Sequence, residues 1–141
     1  MSESFVVDNS IVMSWCFKDE TNQYADIVLE RLSEATAFVP SIWPFEVVNV
    51  LLVAERKRRL SKADSVRFIT LLSQLPIIVE HERPERIMAD LLPLSRANNL
   101  SSYDASYLDL SMRKGIPIAN LDTRLIEAAK MANVPIFVAL A

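Results

Sequence analysis

Apolar residues along this chain recur with two different periods, and the switches between them divide it into short extended runs and longer amphipathic ones. Phe5 to Val7 is a β-branched apolar run ending in Asp8-Asn9-Ser10, which predicts a buried strand and then a turn. Over residues 20–35, Ala25, Val28, Leu29 and Leu32 fall on one helical face. Ala37 to Val39 predicts a second strand, stopped at Pro40. A helix is expected from Ser41 to Arg59, with Ser41 as N-cap and Pro44 in its first turn. Its apolar residues surround it, so a central position is expected. Ser61 caps a further helix to Leu75, Pro76 breaks it, and Ile77 to Val79 predicts a third strand. Pro84 starts a helix reaching Asn98, and Ser101 or Ser102 opens another that Gly115 closes after Lys114. Ile116 to Ala119 predicts a strand, Asp122 to Ala132 a helix, and Pro135 to Val138 a last strand.

Strands alternating with helices imply parallel pairing through right-handed crossovers. The expected fold class is therefore α/β, a three-layer α/β/α sandwich with a central, mainly parallel sheet of about four to five strands. At 141 residues the chain fits one domain, 1–141, and half of it is apolar, with no low-complexity tract or internal repeat. Gly115 is the only glycine, which excludes glycine-rich phosphate loops. Cys16 is the only cysteine, so no intramolecular disulfide or cysteine zinc site can form, and a reducing cytoplasm suits the chain. MSESFVVD lacks the pattern of a signal peptide, and no run approaches the ~20 apolar residues of a membrane span.

The candidate chemistry lies in the acids. Within WPFEVVNVLLVA, Trp43 to Ala54, Glu46 and Asn49 are the only polar side chains. A carboxylate buried without a partner costs several kcal/mol, so Glu46 must be exposed, protonated, paired or metal-bound. Open α/β sheets place ligands at the carboxyl ends of their strands. Asp8 follows the first predicted strand, Asp122 follows that of residues 116–119, and Asp104 and Glu46 lie near the starts of helices that can face the same edge. Each acid also has a local explanation. Ser101 and Asp104 have capping-box spacing, Asp122 can cap its own helix, and Asp8 can begin a turn.

Carboxylates gathered at one edge repel by roughly 4 kcal/mol per pair at 4 Å and an effective dielectric of 20, unless protons or a cation compensate. All-oxygen ligation without a histidine cluster suits Mg²⁺ or Mn²⁺ better than zinc. Carboxylate sites holding such ions favour phosphodiester hydrolysis, because a bound water becomes more acidic and charge on phosphoryl oxygen is offset.

The segments VVDNSIV, PFEVVNVL, SSYDASYLDLSMRKGIPIANLDTRL and AAKMANV together resemble the PIN-domain family, specifically the VapC-like toxins of toxin–antitoxin pairs. The resemblance covers nearly the whole chain. It implies an acidic metal site of Asp8, Glu46, Asp104 and Asp122, supported by Ser10, Asn49 and Asn120. It further implies a Mg²⁺- or Mn²⁺-dependent endoribonuclease acting on a transfer or ribosomal RNA loop, a cognate antitoxin, and a homodimer. Asn9 stands where small residues are frequent in the family, a departure that leaves the metal site undisturbed.

The net charge of −3 argues against general nucleic-acid affinity, but Arg56, Lys57, Arg58, Arg59 and Lys62 form a basic cluster. It can contact RNA or a protein partner, or simply complement a helix C-terminus. His81 reads as a solvated residue after a strand, Cys16 as a packed small side chain, and Trp15 and Trp43 as core aromatics rather than base-stacking groups. A phospho-acceptor regulator would need paired acids on the first strand, and this order does not supply them. A binding module that keeps the acids without turnover fits the same residues.

Overall fold

The computed structural model describes residues 3–138. Strands β1 (Glu3–Val7), β2 (Ala35–Pro40), β3 (Ile77–Glu80) and β4 (Ile118–Ala119) form one sheet in the order β3-β2-β1-β4, and every pairing is parallel. Helices α1 (Asn9–Cys16) and α2 (Gln23–Arg31) connect β1 to β2, and α3 (Trp43–Arg56) and α4 (Lys62–Ser73) connect β2 to β3. Helices α5 (Pro84–Asn98) and α6 (Ser102–Lys114) return the chain to β4, and α7 (Thr123–Met131) follows it. The first two crossovers and the third run in opposite directions across the sheet, so right-handed connections put α1–α4 on one face and α5–α7 on the other. Packing agrees: α1 lies against α2 and α3, and α6 against α5 and α7. The architecture is the expected α/β sandwich.

Local signals explain most boundaries. Ser61 and Asp64 exchange both hydrogen bonds of a capping box at α4, Ser101 caps α6, and Gly115 ends α6 in the left-handed region at φ 64°. Three expectations are corrected. Residues 9–16 form helix α1 rather than following a simple turn, because Asp8 is its N-cap and Ile11, Val12 and Met13 bury against the core. Helix α3 is not central: Trp43, Val47, Leu51 and Ala54 are buried, but Phe45, Val48 and Leu52 on the other side are exposed. It starts at Trp43 behind Ile42, with no side-chain cap from Ser41. The central helix is α6, packed across β1 and β2 with Tyr107, Leu108 and Leu110 fully buried. Its polar residues masked that role in the sequence. Asp109 is accommodated by Arg86 at 2.5 Å and Arg113 at 3.0 Å.

The expected strand at residues 135–138 contracts to a single parallel bridge, Ile118 with Ile136. Beyond it, Phe137 stacks on Phe5 of β1 with ring centroids 3.9 Å apart. The buried apolar side chains form one cluster spanning both faces of the sheet, each large one contributing about 1.5–3 kcal/mol. No helix among the described residues is long and apolar enough to cross a membrane.

A Cβ added at Gly115 meets nothing within 4 Å, so a substitution there costs only the left-handed backbone. Gly115→Ala is expected to lose about 1 kcal/mol in denaturant melts, and Gly115→Asn clearly less. Equal losses for the two variants would show that the backbone conformation is not the determinant.

Candidate active site

The strand order reverses direction between β1 and β4, and at that switch point no crossover covers the carboxyl ends of the strands. Asp8 leaves β1 there, and Asn120 to Asp122 leave β4. The two exits are stitched together. The Asp8 backbone N–H donates to the Ala119 carbonyl at 2.9 Å. Ser10 Oγ donates to Asp8 Oδ2 at 2.6 Å and accepts from the Leu121 N–H at 3.0 Å. Asn120, fully buried, accepts from the Asp122 N–H through Oδ1, while its Nδ2 has no partner among the described residues.

Asp122 caps α7 by accepting from the Arg124 N–H through Oδ1 at 2.9 Å. Asp104, in the first turn of α6, receives only half of a capping box: its N–H donates to Ser101 Oγ at 3.1 Å, with no carboxylate bond returned to the Ser101 backbone. Glu46, in the first turn of α3, accepts from the Tyr107 hydroxyl through Oε1 at 2.5 Å. A pattern emerges across these contacts. Asp8, Glu46 and Asp122 each have one carboxylate oxygen tied by the protein, and the second oxygen takes no hydrogen bond among the described residues.

Electrostatics binds the set. Burial pushes the Asp8 carboxyl up to about 6, against the opposing hydrogen bonds from Ser10, and the charge of Asp104 adds to the rise. Burial also raises Glu46, opposed by the Tyr107 hydroxyl and reinforced by Asp8 and Asp104. Asp104 is raised by burial and then by Asp122, with the Ser101 hydroxyl partly offsetting. Every charged group that shifts these three acids is another carboxylate. No salt bridge reaches any of the four among the described residues, whereas Asp109, farther along α6, has two arginines. The carboxylates are near enough to feel one another, yet no group of three stands close enough to enclose an ion directly among the described residues.

Asn49 lies one turn along α3 from Glu46 but is exposed. The basic cluster sits at the far end of α3, where Arg56 is about 15 Å along the helix axis from Glu46 at 1.5 Å per residue. Within it, Arg59 is taken up by Asp19 and Glu20 and covers the Phe17 ring. His81 is exposed, and Trp43 is buried. Burial raises the Cys16 thiol to about 11, which leaves it unreactive. Tyr107 was not singled out from the sequence. Its signal was the spacing Asp104-x-x-Tyr107, which puts both residues on one helix face.

The family model described as PIN domain matches residues 5–131. The chain belongs to the PIN domain family. PIN domains are generally nucleases and typically use divalent metal ions. No curated protein sequence matches the chain. Among solved structures, PAE2754 from Pyrobaculum aerophilum is similar with a TM-score of 0.68 and 20% identity, covering 91% of this chain and 87% of its own. FitAcB from Neisseria gonorrhoeae is similar with a TM-score of 0.62 and 17% identity, over 94% of this chain and 96% of its own. A toxin–antitoxin complex from Klebsiella pneumoniae is similar with a TM-score of 0.58 and 16% identity, over 84% and 87%. At these identities the likeness is one of PIN fold.

The raised Asp8 pKa fixes a sign for stability in this PIN domain. With a folded value of about 6 against an ordinary 3.8, the cost of ionising Asp8 is absent below pH 3.8 and is incurred as pH rises through 6. That cost is on the order of 2–3 kcal/mol at neutral pH. In chelator at pH 7, Asp8→Asn is expected to melt several degrees above wild type, with the gap closing toward pH 4. A variant no more stable than wild type at pH 7 would contradict the burial of an uncompensated charge.

Proposed function

We propose that this chain is a divalent-metal-dependent endoribonuclease, the VapC-like toxin of a toxin–antitoxin pair, working in the cytoplasm. The observation that carries the reading is the unpaired acidic set at the switch point: among the described residues no salt bridge reaches it, and the charges that shift Asp8, Glu46 and Asp104 belong to other acids of the set, in a chain that pairs its structural Asp109 with two arginines. Asp8, Glu46, Asp104 and Asp122 hold one or two Mg²⁺ or Mn²⁺ ions, directly or through water. The donor chemistry fits: every donor is oxygen, and three of the acids keep an oxygen without a hydrogen bond among the described residues. A bound ion supplies a more acidic water and positive charge at the phosphoryl oxygens.

The chain's own residues do the positioning. Ser10 fixes Asp8 Oδ2 and ties it to the β4 exit, so the two strand ends hold their carboxylates in one register. The orphaned Nδ2 of Asn120 is a buried donor available to a water or phosphoryl oxygen. Asn49, one turn after Glu46, can reach substrate from the rim. The substrate is RNA, with a transfer or ribosomal RNA loop as the class the family resemblance implies.

The cognate antitoxin and a second copy of the chain account for the apolar side of α3 and α4, where Phe45, Val48, Leu52 and Ile69 are exposed. The similar structure from Klebsiella pneumoniae is itself a toxin–antitoxin complex. We assign Arg56, Lys57, Arg58 and Lys62 to the protein partner rather than to RNA at the scissile bond, since Arg56 already lies about 15 Å along α3 from Glu46, while Arg59 serves the fold through Asp19 and Glu20.

The test uses a labelled RNA pool with Mn²⁺ or with chelator. Wild type is expected to cut only with Mn²⁺, and Asp104→Asn, which removes the acid coupled to the other three, to lose at least 100-fold in rate. Cleavage by the variant at the wild-type rate, or indifference to chelator, would overturn the assignment. RNA retained without any Mn²⁺-dependent cleavage would identify a binding module instead.

A further inference from the structure

Tyr107 is the largest fully buried side chain among the described residues, yet its polar end reaches the acidic site. Its ring is held in α6, which packs across β1 and β2, and its hydroxyl crosses to α3 to donate to Glu46 Oε1. Tyr107 also stands three residues after Asp104, on the same helix face. One rigid helix therefore carries one acid and orients another.

Glutamate has three side-chain torsions, and in free rotation Glu46 can turn either one oxygen or both toward a cation. The hydroxyl of Tyr107 occupies Oε1 and leaves Oε2 without a hydrogen-bond partner among the described residues. A carboxylate held in this way favours monodentate binding. That difference separates two kinds of hard cation. Ca²⁺ accepts six to eight oxygens, often with a bidentate carboxylate, whereas Mg²⁺ demands near-octahedral geometry with single oxygens and retained waters.

We infer that Tyr107 is a positioning residue that holds Glu46 to one-oxygen ligation and so makes the site select small octahedral cations, Mg²⁺ or Mn²⁺, over Ca²⁺. The inference rests on the reading of Glu46 as a metal ligand. Polar groups behind metal ligands commonly change affinity 10- to 100-fold when removed. Here the effect is directional, weakening one class of ion and not the other.

Calorimetric titrations of Mn²⁺ and of Ca²⁺ into wild type, Tyr107→Phe, Glu46→Gln and the double variant test it without any RNA. Tyr107→Phe keeps the ring and its packing. It is expected to weaken Mn²⁺ about tenfold while Ca²⁺ holds or tightens, and to have no further effect once Glu46 is Gln. Melting curves in chelator separate a purely structural role: a lower Tm with both ion affinities unchanged overturns the inference. Glu46→Asp, which keeps the carboxylate but withdraws it from the hydroxyl, provides the same comparison if Tyr107→Phe does not fold. Unchanged selectivity in either folded variant, with Glu46→Gln weakened, overturns the role of Tyr107 alone. Mn²⁺ binding by Glu46→Gln at wild-type strength overturns the ligand reading of Glu46 and the inference together.

Discussion

The seam between β1 and β4 is the constraint on which the site depends. It joins residues more than a hundred positions apart through only two register pairs, Val6 with Ile118 and Val7 with Ala119. The Asp8 N–H to the Ala119 carbonyl extends it by one bond, and Ser10 Oγ to the Leu121 N–H closes it with a side chain. The order in which strands are added reverses at this seam while the strands themselves stay parallel, and Asp8 and residues 120–122 leave it at the same, carboxyl edge of the sheet. A shift of one residue in this short ladder would turn Asp8 to the other face of the sheet and dismantle the acidic set.

Helix α6 shows two treatments of a carboxylate within six residues. Asp109 is neutralised by Arg86 and Arg113, which Glu82 and Asp90 extend into a network. Asp104 has no cation at all among the described residues, and the charges that reach it and its neighbours are negative. A chain that pairs its structural acid and leaves this cluster unpaired accepts a loss of stability at a particular place. Such local conflict with folding is the expected signature of a functional site.

Much of this was legible from local rules. The four acids stand at strand ends and helix starts, where hydrogen-bonding and turn chemistry act within a few residues, and the capping roles of Ser61, Ser101, Gly115 and Asp122 follow from the same short range. What escaped was set by tertiary partners. Helix α1 hid behind Asp8-Asn9-Ser10, which signals a turn as readily as a cap. The all-round apolarity of α3 suggested burial, but Phe45, Val48 and Leu52 form an exposed surface instead, while α6 took the centre with its Asp109 paired from α5. The bond between Tyr107 and Glu46 spans 61 residues and has no local trace, although the Asp104-x-x-Tyr107 spacing put both on one face.

The unpaired acids at the β1–β4 switch point are proposed to form a divalent-cation site. The most direct measurement is an anomalous difference map from crystals equilibrated with saturating Mn²⁺. One or two peaks are predicted among the carboxylates of Asp8, Glu46, Asp104 and Asp122, with waters completing the coordination. Saturating Mn²⁺ that leaves these four acids without a peak, or that settles at a different group of side chains, would contradict the account.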